Sequence, residues 1–183
     1  MNAVMGSRRA SEVAEGVLRR LGSYGRRMGY SHVNYHDRGF ESAVSGVYDL
    51  LASGASETEV GELLTTKDFH VKPLVNEAIS AAGSRLHREN VVGNYLRIAG
   101  NGFLEYKRRE GDDDFDKPAE ALLKSEIIGA VSGMAKHGLT SQRILLEIRG
   151  YLGKEWDPAL HAVIRELVNA GVASRRATTP EKE

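Results

Sequence analysis

The chain has 183 residues, no cysteine, and 25 basic against 25 acidic side chains. That length allows one large domain or two small ones, and that balance excludes a uniformly basic nucleic-acid binder. The missing cysteine excludes disulfides, thiol catalysis and cysteine-ligated zinc, and it suits a reducing cytoplasm, the expected location. No run approaches the roughly 18 apolar residues of a membrane span, so no membrane partner is expected. No apolar run follows Arg8-Arg9 as a secretory signal requires.

The neutral sum conceals segments. Residues 1–39 hold seven Arg and Lys against three Asp and Glu, and residues 90–109 hold four against one, whereas residues 110–126 hold two against seven. Local basic surfaces are therefore expected.

Residues 1–38 read as an N-terminal helix and loop. Ser11 is placed to cap a helix whose apolar positions are Val13, Val17, Leu18 and Leu21, with Arg19-Arg20 and Arg26-Arg27 mostly on other faces. Such a helix is either a solvated basic helix packing one stripe or an arm that contacts phosphate or dimerises. Gly29 to Gly39 reads as a loop. His32, His36 and Asp37 raise a metal or acid–base site, but no helical spacing and no activating Glu accompany them, so no metal is expected.

A first folded unit spans residues 39–109. Phe40, Val44, Val47, Tyr48 and Leu51 mark a helix ended by Gly54. Ser56 caps a short helix with Glu57, Glu59 and Glu62 in its positive half and Val60, Leu63 and Leu64 inside. A third helix begins near Phe69 or His70 and runs to about Arg88. It has Pro73 in its first turn, and Leu74, Val75, Ala78, Ile79, Ala82 and Leu86 form its inner stripe. Asn94 to Arg109 then reads as a β-hairpin, residues 95–108, turning at Gly100-Asn101-Gly102. A three-residue turn pairs Ile98 with Leu104 and Leu96 with Tyr106, which gives one apolar face.

Residues 110–122 are acidic, contain glycine and are punctuated by Pro118, the composition of a linker. The aspartates from Asp112 to Asp116 lack the spacing of a calcium loop. A second unit, residues 123–176, repeats the order of the first. It has a helix with Ile127, Ile128, Val131 and Met134 stopped at Gly138, and a helix capped by Thr140 or Ser141 that runs to Gly153. A last helix has Asp157 as N-cap and Pro158 at its first position, and Gly171 stops it before a short strand, Val172 to Arg176. Residues 177–183 form a polar tail. Ala43-Val44-Ser45-Gly46 recurs as Ala130-Val131-Ser132-Gly133 near the middle of the first helix of each unit, and with the shared element order it suggests an internal duplication.

The run Ser125 to Arg176, above all Leu160 to Arg176, resembles the recognition helix and wing of winged-helix transcriptional regulators. The first half, three helices and a hairpin, has the same order. The fold expected is mainly α with small β (α+β), two tandem winged-helix-like units preceded by an N-terminal helix. Two such units also resemble the tandem winged-helix kleisin-binding subunits of bacterial condensins. The resemblance implies a base-reading row of His161, Arg165 and Asn169, with Lys72 and Asn76 on the outward row of the first unit's long helix. It implies phosphate contacts from Lys107, Arg108, Arg109, Arg175 and Arg176. A solvated helix face would carry the same residue types, and Asp157 and Glu166 nearby repel phosphate. The expected function is a DNA-binding protein, a transcriptional regulator or an architectural or replication accessory factor, acting as a dimer on double-stranded DNA without catalysis or cofactor. The alternative is a tandem winged-helix adaptor that binds protein partners in a larger assembly.

Overall fold

Where the sequence places a hairpin, the chain is helical. The structure, a computed structural model, describes residues 7–30, 33–110 and 117–177. Among these residues the regular elements are all helices: α1 (Ser7–Met28), α2 (Arg38–Ala52), α3 (Glu57–Leu63), α4 (Lys72–Arg109), α5 (Lys117–Lys136), α6 (Ser141–Leu152), a 3₁₀ turn (Gly153–Glu155) and α7 (Pro158–Ala177). The chain divides into two compact units, Met1–Arg88 and Glu89–Glu183, with the division inside α4. The α+β expectation and both wings are thereby corrected, because no strand occurs among the described residues.

The hairpin fails for a reason carried by its glycines. A Cβ at Gly100 would overlap the Tyr151 ring, and one at Gly102 would lie 2.6 Å from Ile127 Cγ1. Both glycines therefore allow α6 and α5 to approach the α4 backbone closely, and they do not turn the chain. Each helical glycine costs roughly 0.5–1 kcal/mol relative to alanine. Phe103 is fully buried here, and burying a phenylalanine contributes about 1.5–3 kcal/mol. The gain exceeds the cost. Tyr95, Leu96, Ala99, Phe103, Leu104 and Tyr106 of the run, with Val92 just before it, face the second unit's core at helical spacing. Ile98, inside in the hairpin pairing, is 46% exposed.

The second wing fails in the same way. Helix α7 continues through Val172 to Ala177, because Gly171 does not terminate it. A Cβ at Gly171 would lie 2.6 Å from Val131 Cγ1 and 3.0 Å from the Ile128 carbonyl oxygen, so this glycine seats α7 on α5. True terminators are recognisable by their backbone: Gly54 and Gly138 have φ of 102° and 91°, the left-handed region closed to most side chains.

Three boundaries also move. Helix α1 begins at Ser7, so Ser11 lies inside it. Helix α4 runs past Arg88 without a break. Helix α5 begins at Lys117, so residues 117–122 are its first turns and not linker. Leu122 there is 65% exposed, which explains why no inner stripe marked that turn. The rest of the acidic run, including Asp112 to Asp116, lies outside the described residues, as does the tail beyond Ala177.

Each unit has its own core. In the first, Val17, Leu21 and Tyr24 of α1 pack with Phe40, Val47 and Leu50 of α2, Val60 of α3 and Leu74 and Ala78 of α4. In the second, Ala99 and Phe103 of α4 pack with Ile127 and Met134 of α5, Ile144 and Ile148 of α6 and Ile164 of α7. The repeated Ala-Val-Ser-Gly run has the same task in both. A Cβ at Gly46 would lie 2.6 Å from Val17 Cγ2, and one at Gly133 would lie 2.6 Å from the Tyr95 ring. In each unit the glycine brings the second helix against the helix before it.

Candidate docking surface

In the first unit, aromatic side chains gather where the α2 entrance loop meets the start of α4. Residues 34–37 of this loop are held from within. The Asn34 amide donates to the Tyr24 hydroxyl at 2.6 Å, and the His36 amide donates to Asn34 Oδ1 at 3.0 Å. Asp37 caps α2 by accepting from the Gly39 amide at 2.8 Å, and its carboxylate also accepts from Arg27 at 2.6 and 2.8 Å. Asp37, considered above for acid–base chemistry, is thus a structural cap.

This framework sets the rings. Gly25 leaves no room for a Cβ because the Tyr30 ring lies directly on it. Tyr30 stacks obliquely on His70 with centroids 5.4 Å apart, and Phe69 meets His70 edge-on at 5.8 Å. Tyr35 packs edge-on against buried Phe40 at 5.6 Å, and its hydroxyl donates to Glu77 Oε2 at 2.7 Å. That hydrogen bond to a carboxylate holds the Tyr35 phenol above its usual pKa.

Tyr30, Val33, Phe69, His70, Pro73, Leu74 and Glu77 line a concavity of ≈ 410 Å³. Val33 is shared with a second of ≈ 490 Å³, lined also by Met28, Asn34, Tyr35 and His36. Phe69 is 80% exposed, and Tyr35 and Met28 are also exposed. Large apolar side chains concentrated at one place mark contact surfaces more often than bare solvent.

Three of the residues expected to grip phosphate, Lys107, Arg108 and Arg109, are held in ion pairs within the chain. Lys107 pairs with Glu155 Oε2 and Asp157 Oδ2, both at 3.1 Å, and donates to the Glu155 carbonyl at 3.0 Å. Its bonds to Asp157 and Glu155 raise its pKa. Asp157 in turn accepts from the Leu160 amide at 2.8 Å as the α7 N-cap, so Lys107 ties α4 to the start of α7. Arg108 and Arg109 both pair with Glu105, at 2.8 and 2.6 Å, and their hydrogen bonds pull its carboxyl from 4.5 to about 2.

His161, Arg165 and Asn169 lie exposed along one row of α7. The His161 ring sits 5.1 Å from that of Trp156. The side chains of Arg175 and Arg176, and all of His32, are outside the described residues. Lys72 is exposed at the start of α4. Asn76, Ser80 and Ser84 line a trough of ≈ 630 Å³ with Ile79 and with Glu57 and Gly61 of α3, and so share it with a carboxylate. Among the described residues no three His, Asp or Glu are grouped to hold a metal.

Sequence reading missed Tyr30, Val33, Phe69 and Glu77. The available signal was Phe69, an aromatic residue among polar neighbours that falls before Pro73 and off the α4 stripe. Comparison of the chain with protein-family models, with curated proteins and with solved structures finds no match in any of the three.

Proposed function

We propose that this chain is a helical docking protein without catalysis that binds a segment of a partner protein on the aromatic face of its first unit. The observation that carries this reading is Phe69, 80% exposed beside the concavity formed with Tyr30, Val33 and Pro73. Aromatic anchors in such hollows supply most of the energy in protein interfaces. The capped loop supports the reading because a preformed surface loses little entropy on binding. No helix of the described residues is long and apolar enough to cross a membrane, and we place the protein in the cytoplasm, where a cysteine-free chain is at home.

Selection of a displayed random-peptide library on the full chain tests this. Clones that share a consensus and lose binding to Phe69→Ala support it. Absence of enriched clones, or clones that bind both proteins equally, overturns it. Phe69 is exposed, so its removal leaves the core intact.

A second reading, duplex DNA binding through α7, is favoured by the exposed row of His161, Arg165 and Asn169. Fluorescence anisotropy on duplex DNA over a salt series tests it. Affinity that falls with salt and is lost in Arg165→Ala supports it, and no binding at low salt rejects it.

A further inference from the structure

From the concavity at the start of α4 we infer that the docking face takes a basic side chain, a lysine or arginine presented by the partner segment, between the rings and the Glu77 carboxylate. This rests on the docking reading and names what the pocket recognises. Three properties carry it. The first is composition: the walls are Tyr30, Phe69 and His70 over Val33, Pro73 and Leu74, with Glu77 supplying the negative charge. Ring faces are electron-rich and attract cations, and the attraction grows as water is displaced.

The second is an unbalanced charge. Glu77 accepts one hydrogen bond, from Tyr35 at 2.7 Å, and among the described residues no lysine or arginine pairs with it. Some carboxylates of the chain have their cations, Glu105 with Arg108 and Arg109, Asp37 with Arg27 and Glu120 with Lys124; Glu77 is among those that have none among the described residues. Tyr35 orients the Glu77 carboxylate and leaves its charge uncancelled.

The third is the chain's own precedent. Elsewhere its aromatic rings carry internal cations, with the Arg85 guanidinium 4.6 Å from the Tyr48 centroid, Lys124 5.5 Å from Tyr106 and Arg149 5.8 Å from Trp156. Trp156 occupies the connector before the last helix of its unit, as Phe69 and His70 do in theirs. In the second unit the cation comes from within; among the described residues none is placed over Tyr30, Tyr35 or Phe69. An aliphatic stem along Val33 and Pro73 with a charged head at Glu77 fits both halves of the pocket.

The test is a nuclear magnetic resonance titration of the isotope-labelled full chain with three probes: the capped tripeptide Gly-Lys-Gly, its norleucine counterpart, and n-butylamine. The expected result is saturable shifts of the Tyr30, Phe69, His70 and Glu77 amides with the lysine peptide. Its affinity should be about tenfold higher than that of the norleucine peptide, and Glu77→Gln should remove the difference, which corresponds to about 1.4 kcal/mol. Equal binding of lysine and norleucine peptides overturns the cation assignment, as does an unchanged preference in Glu77→Gln. Butylamine binding as tightly as the lysine peptide overturns the segment as its source. Failure of the docking reading itself appears separately, as library peptides that ignore Phe69→Ala.

Discussion

The two units follow one plan and finish it differently. Each has a leading helix, a second helix brought against it by the glycine of an Ala-Val-Ser-Gly run, a short helix with a hydroxyl cap, and a closing helix with proline in its first turn. In the second unit the connector aromatic, Trp156, packs on the core beneath His161 and Arg149. In the first, Phe69 projects into solvent beside an open concavity. The second unit sets its own cation, Arg149, over its connector ring, whereas the first, which has Arg85 over Tyr48, places none over Phe69 among the described residues. The lesson is that one helical plan buries or exposes its connector ring according to whether that ring finds partners within the chain.

The largest expected effect concerns the plan itself. Asn101→Pro places a proline inside α4, where the lost amide donor and the ring clash cost about 3 kcal/mol or more. Urea unfolding followed by circular dichroism at 222 nm should show that loss. A variant as stable as wild type would restore the hairpin turn and break the equivalence of the two leading helices.

Next comes glycine seating. Gly171→Ala forces a methyl group against Val131 and the Ile128 carbonyl, an overpacking worth about 1–3 kcal/mol of destabilisation. Gly129→Ala has nothing within 4 Å and should stabilise α5 by about 0.5–1 kcal/mol through helix propensity. Thermal melts showing the same sign for both variants would remove the distinction between seating and idle glycines.

The closure of the second unit is smaller in energy. Arg149→Ala removes the cation over Trp156 at a cost of about 0.5–1 kcal/mol. Because this is the sole tryptophan of the chain, its emission reports the change directly, and a red shift is expected as the ring gains water. An unchanged spectrum would show that Arg149 does not cover it.

The smallest effect is electrostatic. The carboxyl of Glu105 is lowered in the folded chain from 4.5 to about 2 by Arg108 and Arg109. A lowered folded value means that its contribution is fully present above pH 4.5 and is lost as pH falls toward about 2. The stability difference between wild type and Glu105→Gln should therefore shrink over that interval. A carboxyl titrating near its ordinary value by carbon-detected resonance would show that the two arginines do not hold it.

Much of this plan was legible in the sequence because the signals are local. Ser56 accepts from the Glu59 amide and Glu59 accepts from that of Ser56; Thr140 and Asp157 accept from amides three residues on. These bonds span one helical turn, so residue type and spacing reveal them. The inner stripe of α2 was readable for the same reason, as were Val60 of α3 and Leu64 at its end, whereas Leu63, expected inside, is 38% exposed.

Asn94 to Arg109 shows where locality ends. Sequence alone determined that this run is apolar on one side, rich in glycine and basic at its end. Whether Gly100 turns the chain or receives Tyr151 depends on a residue about fifty positions away, and whether Lys107 is a free cation depends on Asp157, equally distant. The proposed docking face has the same character: Tyr35 meets Glu77 across 42 positions. A glycine is permissive and a charge is mobile, so neither selects a conformation by itself. Tertiary packing decided both, because only there does the close approach of another helix, or of a counter-charge, make one conformation lower in free energy than the rest.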